Sequence, residues 1–201
     1  DLMTEEQKDE QVKNAKELIG VVQELGVEPF LWAGSLLGAI RGKDIIPGDS
    51  DMDIAYISKY TNGEDIEKEA RELYTKLYEM GLLAEYWDEN NQKRWPEKDG
   101  ILPVLGQAHI GKISPYLDIF TMWISQGEWF DTWFGPVAKD IDPTVIPDSV
   151  ELRGVKFPAL KNPEWVLRML YGDDWKTPRE DKGTNRHAFR PTLTLFRRGL
   201  R

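Results

Sequence analysis

Three aspartates, Asp49, Asp51 and Asp53, alternate with other residues in one short segment of the chain. If the segment is a β-strand, its side chains alternate between two faces, so all three carboxylates project from the same face. Like charges held this close repel each other, and a divalent cation is the usual compensation. Carboxylate oxygens suit Mg²⁺, Mn²⁺ or Ca²⁺. The spacing therefore indicates a metal site, while a polar loop edge is the alternative interpretation.

A calcium-binding loop of the EF-hand type would place the same three aspartates at its positions 1, 3 and 5. That loop also needs glycine at position 6 and glutamate at position 12. In this sequence those two places hold Ile54 and Tyr60. The EF-hand interpretation is therefore excluded.

Two further features are candidates for a role in the chemistry. The pair Gly34-Ser35 follows an apolar run and precedes a predicted helix, so its backbone N–H groups and hydroxyl would favour phosphate, unless the pair is an ordinary turn. Asp118 lies in an apolar segment, between Leu117 and Ile119. A carboxylate is costly in a core strand unless something neutralises it, whereas on a surface strand it would be solvated.

The elements that must position these residues follow from hydrophobic periodicity and from helix-capping residues. The first predicted helix begins at a Thr4/Gln7 capping box and stops at Gly26. Further helices are predicted over 35–41, 64–80 and 162–171, strands over 27–32, 51–57, 82–87, 108–113 and 117–124, a loop over 88–100 and a hairpin over 150–160. This alternation predicts a single α/β or α+β domain.

Composition excludes several classes of function. The chain has 201 residues with no cysteine, which excludes disulfides, thiol catalysis and Cys-ligated metal sites. The formal charge of −9 argues against a broad nucleic-acid-binding face. No apolar run reaches the roughly 18 residues of a membrane span. The chain opens at Asp1 without a signal-like segment, so we expect an excerpt or a processed form.

The segment 179–201 is rich in lysine and arginine, in contrast to the acidic remainder of the chain. Such a tail would bind an anionic small molecule or a polyanionic acceptor, or would simply be a solvated terminus. His109 and His187 are interpreted as ordinary histidines. Packing is the favoured role for most of the tryptophans, with a sugar or nucleobase platform as the alternative for Trp87, Trp95, Trp123, Trp129 and Trp133.

The motifs together resemble the LicD branch of the nucleotidyltransferase fold, which includes bacterial phosphocholine transferases and fukutin-type ribitol-phosphate transferases. The matching parts are residues 34–41, the Ile46-Pro47 step, the acidic segment 49–53 and the late element 171–178. Three positions depart from the usual pattern: Gly48 replaces Trp, Ser50 replaces the middle Asp, and Met52 replaces Ile. Since Asp51 and Asp53 are kept, the resemblance still implies the metal chemistry, while the departures leave open the shape of the adjoining pocket and with it the identity of the donor.

The resemblance implies a nucleotidyltransferase-like fold, with a mixed β-sheet flanked by helices. A single domain over 1–201 would comprise an N-terminal helix (1–26), a catalytic core (27–178) and a basic tail (179–201). The resemblance also implies that Asp51, Asp53 and Asp118 are catalytic and hold Mg²⁺ or Mn²⁺. Gly34 and Ser35 would bind phosphate, while Arg41, Lys43 and Lys112 would counter charge on the leaving nucleotide.

The implied reaction moves a phospho-alcohol or sugar-phosphate from a CDP-type donor to a hydroxyl of a glycan or cell-surface polysaccharide. The implied compartment is the cytoplasm in a bacterium, or the Golgi or secretory lumen in a eukaryote. Two alternatives stay open: attack on the α-phosphate of an NTP with release of pyrophosphate, and a non-catalytic binding or regulatory domain that has kept the fold.

Overall fold

The computed structural model describes residues 3–88, 93–94, 103–108, 117–125, 127–131, 135–139 and 142–178. Within these ranges the helices are α1 (Glu5–Glu24), α2 (Ala33–Arg41), α3 (Gly63–Glu79) and α4 (Pro163–Tyr171). The strands are β1 (Pro29–Leu31), β2 (Met52–Ile57), β3 (Leu83–Asp88), β4 (Lys93–Arg94), β5 (Pro103–Ala108), β6 (Leu117–Ser125), β7 (Glu128–Asp131), β8 (Gly135–Lys139), β9 (Val145–Leu152) and β10 (Val155–Leu160). The predictions for Lys112, His109, His187, Trp95, Trp133 and the basic tail fall outside the described residues.

Capping residues set the beginnings of the long helices, as the sequence predicted. In α1 the Thr4 hydroxyl accepts a hydrogen bond from the Gln7 amide, and the Gln7 side chain accepts one from the Thr4 amide. The side chain of Asn162 caps α4, with Pro163 in the first turn. Each cap satisfies a backbone N–H that has no partner inside its helix.

One mixed sheet forms the centre of the molecule, with the strand order β1-β2-β6-β5-β3-β4. Strands β2 and β6 run parallel, while the other pairs in this order are antiparallel. Strand β7 pairs with both β6 and β8, and β9 and β10 form a separate hairpin. The predicted mixed α/β architecture is therefore confirmed.

Several element boundaries differ from the sequence prediction. The strand that pairs with β6 is Pro103–Ala108, which overlaps the predicted 108–113 only at Ala108. Proline and glycine within this strand, at Pro103 and Gly106, resemble turn residues and conceal it. Helix α2 begins at Ala33, two residues before the predicted start at Ser35. The predicted loop over 88–100 also contains the short strand β4.

Helices cover both faces of the sheet near β2 and β6. On one face, the Tyr74 hydroxyl of α3 donates to the Ile119 carbonyl at 3.0 Å. On the same face, the Thr121 hydroxyl donates to the Tyr56 hydroxyl at 3.0 Å. Helix α2 packs against β2, β9 and α4. Because side chains alternate along a strand, Asp53 and Asp118 point away from Tyr56 and Thr121, toward the side of α2.

The apolar core fills the space between these layers. The tryptophans buried in it include Trp32, Trp123, Trp129 and Trp175, and Trp165 packs against it half-buried. The packing role predicted for these side chains is confirmed. No helix in the described part of the chain is both long and apolar enough to cross a membrane.

Candidate active site

Strand pairing brings together the three predicted metal ligands. Asp53 and Asp118 are the second residues of β2 and β6, and the parallel register makes them direct partners. Asp51 immediately precedes β2, and ligand oxygens of all three carboxylates lie within 4.8 Å of one another. Two oxygens on opposite sides of one Mg²⁺, Mn²⁺ or Ca²⁺ are separated by about 4–5 Å, so this spacing fits a cation held between them.

Asp49 reaches the same cluster by a different route from the predicted one. The expectation that Asp49, Asp51 and Asp53 share one strand face is wrong, because β2 begins only at Met52. Asp49 lies in a turn instead, where its amide donates to the Ile46 carbonyl at 2.9 Å. Gly48 has φ +84°, a left-handed conformation that glycine adopts without strain. This turn brings the Asp49 carboxyl to Asp51, with which it forms a side-chain hydrogen bond.

The beginning of α2 holds Asp53 in place through two hydrogen bonds. The Gly34 amide donates to Asp53 Oδ2 at 3.0 Å, and the Asp53 amide donates to Ser35 Oγ at 2.8 Å. Ala33 has φ +42°, so the chain turns sharply between β1 and α2 and aims the Gly34 amide at β2. The Gly34 amide therefore holds a carboxylate in this arrangement, and phosphate binding by Gly34 and Ser35 stays a prediction.

Glycine at position 34 leaves room for two carboxylates, which occupy the space that a side chain would take. A Cβ atom there would lie 2.8 Å from Asp49 Oδ2 and 3.2 Å from Asp53 Oδ2. The first distance is shorter than carbon and oxygen tolerate, so one carboxylate would have to move. Gly34 thus allows α2 to pack directly against the acidic cluster.

The electrostatics of the cluster show an excess of negative charge. Burial, followed by the hydrogen bond with Asp51 and its charge, raises the pKa of Asp49 to about 7. Burial also raises the pKa of Asp53 well above its usual range, with further contributions from Asp51, Asp118 and Asp49. Carboxylates crowded in this way bind either protons or a cation. The donor set, all carboxylate oxygen, fits a hard divalent ion.

Tyr171 lies near the cluster, and Arg41 lies near Tyr171. Tyr171 is buried at the end of α4, and its pKa is raised well above the usual range by burial and by the charges of Asp53 and Asp49. The charge of Arg41 lowers the pKa of Tyr171 and so opposes this shift. Burial lowers the pKa of the Arg41 guanidinium itself. The packing of α2 against α4 therefore places a cation, a phenol and the carboxylates in one region.

Of the two remaining predicted site residues, only Lys43 is described by the structure, and it is not part of this geometry. Lys43 is 71% exposed and its amine lies 3.9 Å from Glu151 of β9. Lys112 is outside the described residues. Tyr171 appeared only within the 171–178 motif and had no role assigned from the sequence. Asp49 belonged to the triplet that indicated a metal site but was left out of the catalytic set. The alternation of the triplet was the signal that could have included Asp49.

Comparisons with known proteins identify the family of this chain. Ribitol 5-phosphate transferase FKRP of Mus musculus is 32% identical over 96 residues, an alignment that covers 42% of this chain and 19% of that protein. Residues 26–149 match the family model described as LicD/FKTN/FKRP, nucleotidyltransferase domain. That range is more than half of the chain and contains Asp49, Asp51, Asp53 and Asp118. The chain belongs to the LicD/FKTN/FKRP nucleotidyltransferase-domain family.

Proposed function

We propose that this protein is a metal-dependent phosphotransferase. It moves a phospho-alcohol or sugar-phosphate from a CDP-type donor to a hydroxyl of a glycan or related acceptor. The observation that carries the proposal is the convergence of Asp51, Asp53 and Asp118, with ligand oxygens within 4.8 Å, in a member of this family. Phosphoryl transfer depends mainly on positioning and on charge neutralisation, and such a cluster serves both.

Asp51, Asp53 and Asp118 would hold one or two ions of Mg²⁺ or Mn²⁺. When bound, the metal would neutralise charge on the diphosphate of the donor. The surrounding residues keep this ligand set in one arrangement, since the Gly34 amide and the Ser35 hydroxyl both bind Asp53. Ligands fixed in this way need little reorganisation when the donor arrives.

The transfer step is a displacement at the phosphorus that carries the alcohol. The acceptor oxygen forms the new P–O bond, the bond to the bridging oxygen breaks, and CMP leaves. We propose that the Asp118 carboxylate accepts the proton that the acceptor hydroxyl releases. The Ser35 hydroxyl oxygen accepts a hydrogen bond from the Asp53 N–H. The hydroxyl proton of Ser35 therefore stays available for donation to a phosphate oxygen.

Charge on the leaving nucleotide needs a cation. Arg41 is our first candidate, because Tyr171 experiences both its charge and the charges of Asp49 and Asp53. Lys43 is a weaker candidate, since its amine is exposed beside Glu151. We keep Lys112 as a further candidate from the sequence alone.

For the donor, ribitol 5-phosphate is the first group to test, because a relative bears that activity in its name. Phosphocholine and glycerol phosphate are the comparisons. The experiment is a thermal-shift panel of CDP-ribitol, CDP-choline, CDP-glycerol and ordinary NTPs, each with Mg²⁺. A donor at 100-fold its Kd adds about 2.7 kcal/mol of stability by mass action. The Asp51→Asn variant serves as the control that should lose the metal-dependent part of the shift.

Product analysis then separates the proposal from its alternatives. Release of CMP with transfer of the phospho-alcohol supports it. Release of pyrophosphate from an NTP would instead show a nucleotidyltransferase. Absence of any Mg²⁺-dependent nucleotide binding would show a non-catalytic domain that has kept the fold.

A further inference from the structure

The guanidinium of Arg153, at the turn between β9 and β10, joins three separate parts of the molecule. Its Nε donates to Asp9 at 2.8 Å and its Nη2 to Glu5 at 2.9 Å, both on α1. Its Nη1 donates to Asp44, in the loop between α2 and β2, at 2.7 Å. The side chain of Arg153 is only 13% exposed, although its carboxylate partners are much more open to solvent.

The turn is shaped to direct this side chain inward. Arg153 has φ +48° and Gly154 has φ +78°, so both residues occupy the left-handed region. A residue other than glycine adopts that conformation at an energetic cost, which the surrounding contacts must offset. Three charge-assisted hydrogen bonds supply such contacts, and lysine could not reproduce their forked geometry.

The loop over 42–50 is fixed at the same place by its backbone. The Arg153 amide donates to the Lys43 carbonyl at 2.9 Å, so backbone and side chain of one residue bind successive loop residues. The Asp44 carbonyl packs on α2 at Gly38, where a Cβ atom would lie only 2.5 Å from it. Ile45 and Ile46 are then buried in the core.

This anchored loop leads directly into the acidic cluster. The Ile46 carbonyl accepts the hydrogen bond that forms the turn at Asp49, and Asp51 follows two residues later. A loop displaced at Asp44 would move the Ile46 carbonyl and the turn with it. The position of Asp49 therefore depends on contacts made five residues earlier in the chain, at Asp44.

We propose that Arg153 is a positioning residue for the active site, which holds the loop over 42–50 so that Asp49 and Asp51 meet Asp53. Its consequence for catalysis rests on the function proposed above, whereas its effect on the loop does not. Without Arg153 the carboxylates of Glu5, Asp9 and Asp44 would lose the cation that all three share and keep Lys8, whose amine lies 2.8 Å from Glu5 and 3.8 Å from Asp44. The excess of negative charge then favours separation of the loop from α1.

Two measurements on the full chain test this proposal: amide hydrogen exchange over 43–51 and the Kd for Mn²⁺. In Arg153→Gln and Asp44→Asn, we expect loop amides to exchange at least tenfold faster and the Kd to rise at least threefold. Arg153→Lys should recover part of both. The amides of β2 and β6 should exchange as in the unmodified protein, which separates positioning from a general loss of stability.

Two control variants test whether the effect is specific to the contact between Arg153 and Asp44. Asp9→Asn removes only the charge of one partner on α1, and Lys161→Gln removes an ion pair with Asp142 at the opposite end of the hairpin. Both should stay within twofold of the unmodified protein. Should Arg153→Gln fail to fold, Asp44→Asn and Arg153→Lys decide the question.

The proposal is overturned if loop exchange stays within twofold in Asp44→Asn, or if Lys161→Gln changes it equally. Faster exchange throughout β2 and β6 would likewise assign Arg153 a purely structural role. An unmodified protein that neither binds Mn²⁺ nor releases CMP would contradict the proposed function, while the exchange data would still decide the role of Arg153.

Discussion

Asp53 and Asp118 are direct partners in the parallel pairing of β2 and β6. Three residues further along the same register, Tyr56 and Thr121 are also partners, and their hydroxyls are hydrogen-bonded on the opposite face of the sheet. A slip of one residue would turn Asp118 away from Asp53 and break this buried bond. The polar contacts beneath the sheet and the carboxylates above it therefore depend on a single alignment.

Replacing any one of the three proposed ligands should remove activity without unfolding the protein. We expect Asp51→Asn, Asp53→Asn and Asp118→Asn each to lower transferase activity by more than about 100-fold, the upper end of losses for groups that only support a ligand. Circular dichroism and Tm verify folding, and release of CMP measures activity. A variant that keeps full activity would exclude its residue from the catalytic set.

Gly34→Ala should impair metal binding far more than stability. The new methyl group would lie 2.8 Å from Asp49 Oδ2, and a carboxylate can swing away with little cost to the fold. The displaced oxygen is nevertheless part of the acidic cluster. We expect the Kd for Mn²⁺ to rise about tenfold, which corresponds to about 1.4 kcal/mol.

Gly20→Ala is the matched control for this substitution. It lies within α1, and nothing is within 4 Å of the added Cβ atom. Alanine should stabilise the helix by about 0.5–1 kcal/mol and leave the Kd for Mn²⁺ unchanged. Equal losses of metal affinity in both variants would contradict the role given to Gly34.

Gly38→Ala should behave in the opposite way from Gly34→Ala. Its Cβ atom would lie 2.5 Å from the Asp44 carbonyl oxygen, which belongs to the backbone and is held by its neighbours. Overpacking of this kind costs about 1–3 kcal/mol, so we expect a clear loss of stability in denaturant unfolding. An unchanged unfolding midpoint would show that the loop shifts freely.

The metal-free protein should become less stable as the pH rises from about 4 to about 7. The pKa of Asp49 is raised from its ordinary 3.8 to about 7 in the folded protein. Across that range the folded state binds a proton that the unfolded chain has released, so the free energy of unfolding falls with increasing pH. The raised pKa of Asp53 acts in the same direction and extends the effect to higher pH.

Thermal unfolding in EDTA at several pH values measures this dependence. Asp49→Asn removes one titrating group, so the variant should show a shallower dependence and a higher Tm at pH 8. An increase of about 2–4 °C would correspond to about 1 kcal/mol for a domain of this size. With excess Mn²⁺ the trend should reverse, because cation and proton compete for the same oxygens. A flat profile in EDTA would contradict the raised pKa of Asp49.

Much of the fold was predictable because local signals were strong. The caps at Thr4 and Asn162, and the hairpin turn at Gly154, act within a few residues and were placed correctly. Asp118 was selected because an acid in an apolar segment needs compensation, whereas Asp51 and Asp53 were selected from the alternation of like charges and from the family resemblance. Their close approach depends on long-range pairing, which the family resemblance implied and periodicity alone could not supply.

The structure differs from the sequence prediction where contacts between residues distant in sequence determine the geometry. Asp49 joins the cluster through a turn. Strand alternation correctly predicted that Asp49 lies near Asp51 and Asp53, but a turn and not a shared strand brings it there. Arg153 carries no motif, and its importance depends on α1 and on Asp44, both distant in sequence. Gly34 suggested a phosphate-binding amide, whereas its amide holds Asp53 because β2 lies directly beside α2.

The parallel pairing of β2 with β6 also determines when the cluster of carboxylates forms during folding. Tyr56 and Thr121, which share the register of the site, are 65 residues apart, and a parallel connection must close that long loop before the strands meet. A nascent chain that has emerged only as far as β5 contains Asp51 and Asp53 but lacks Asp118. High-affinity cation binding is therefore a late event, and its appearance during refolding would report docking of β6.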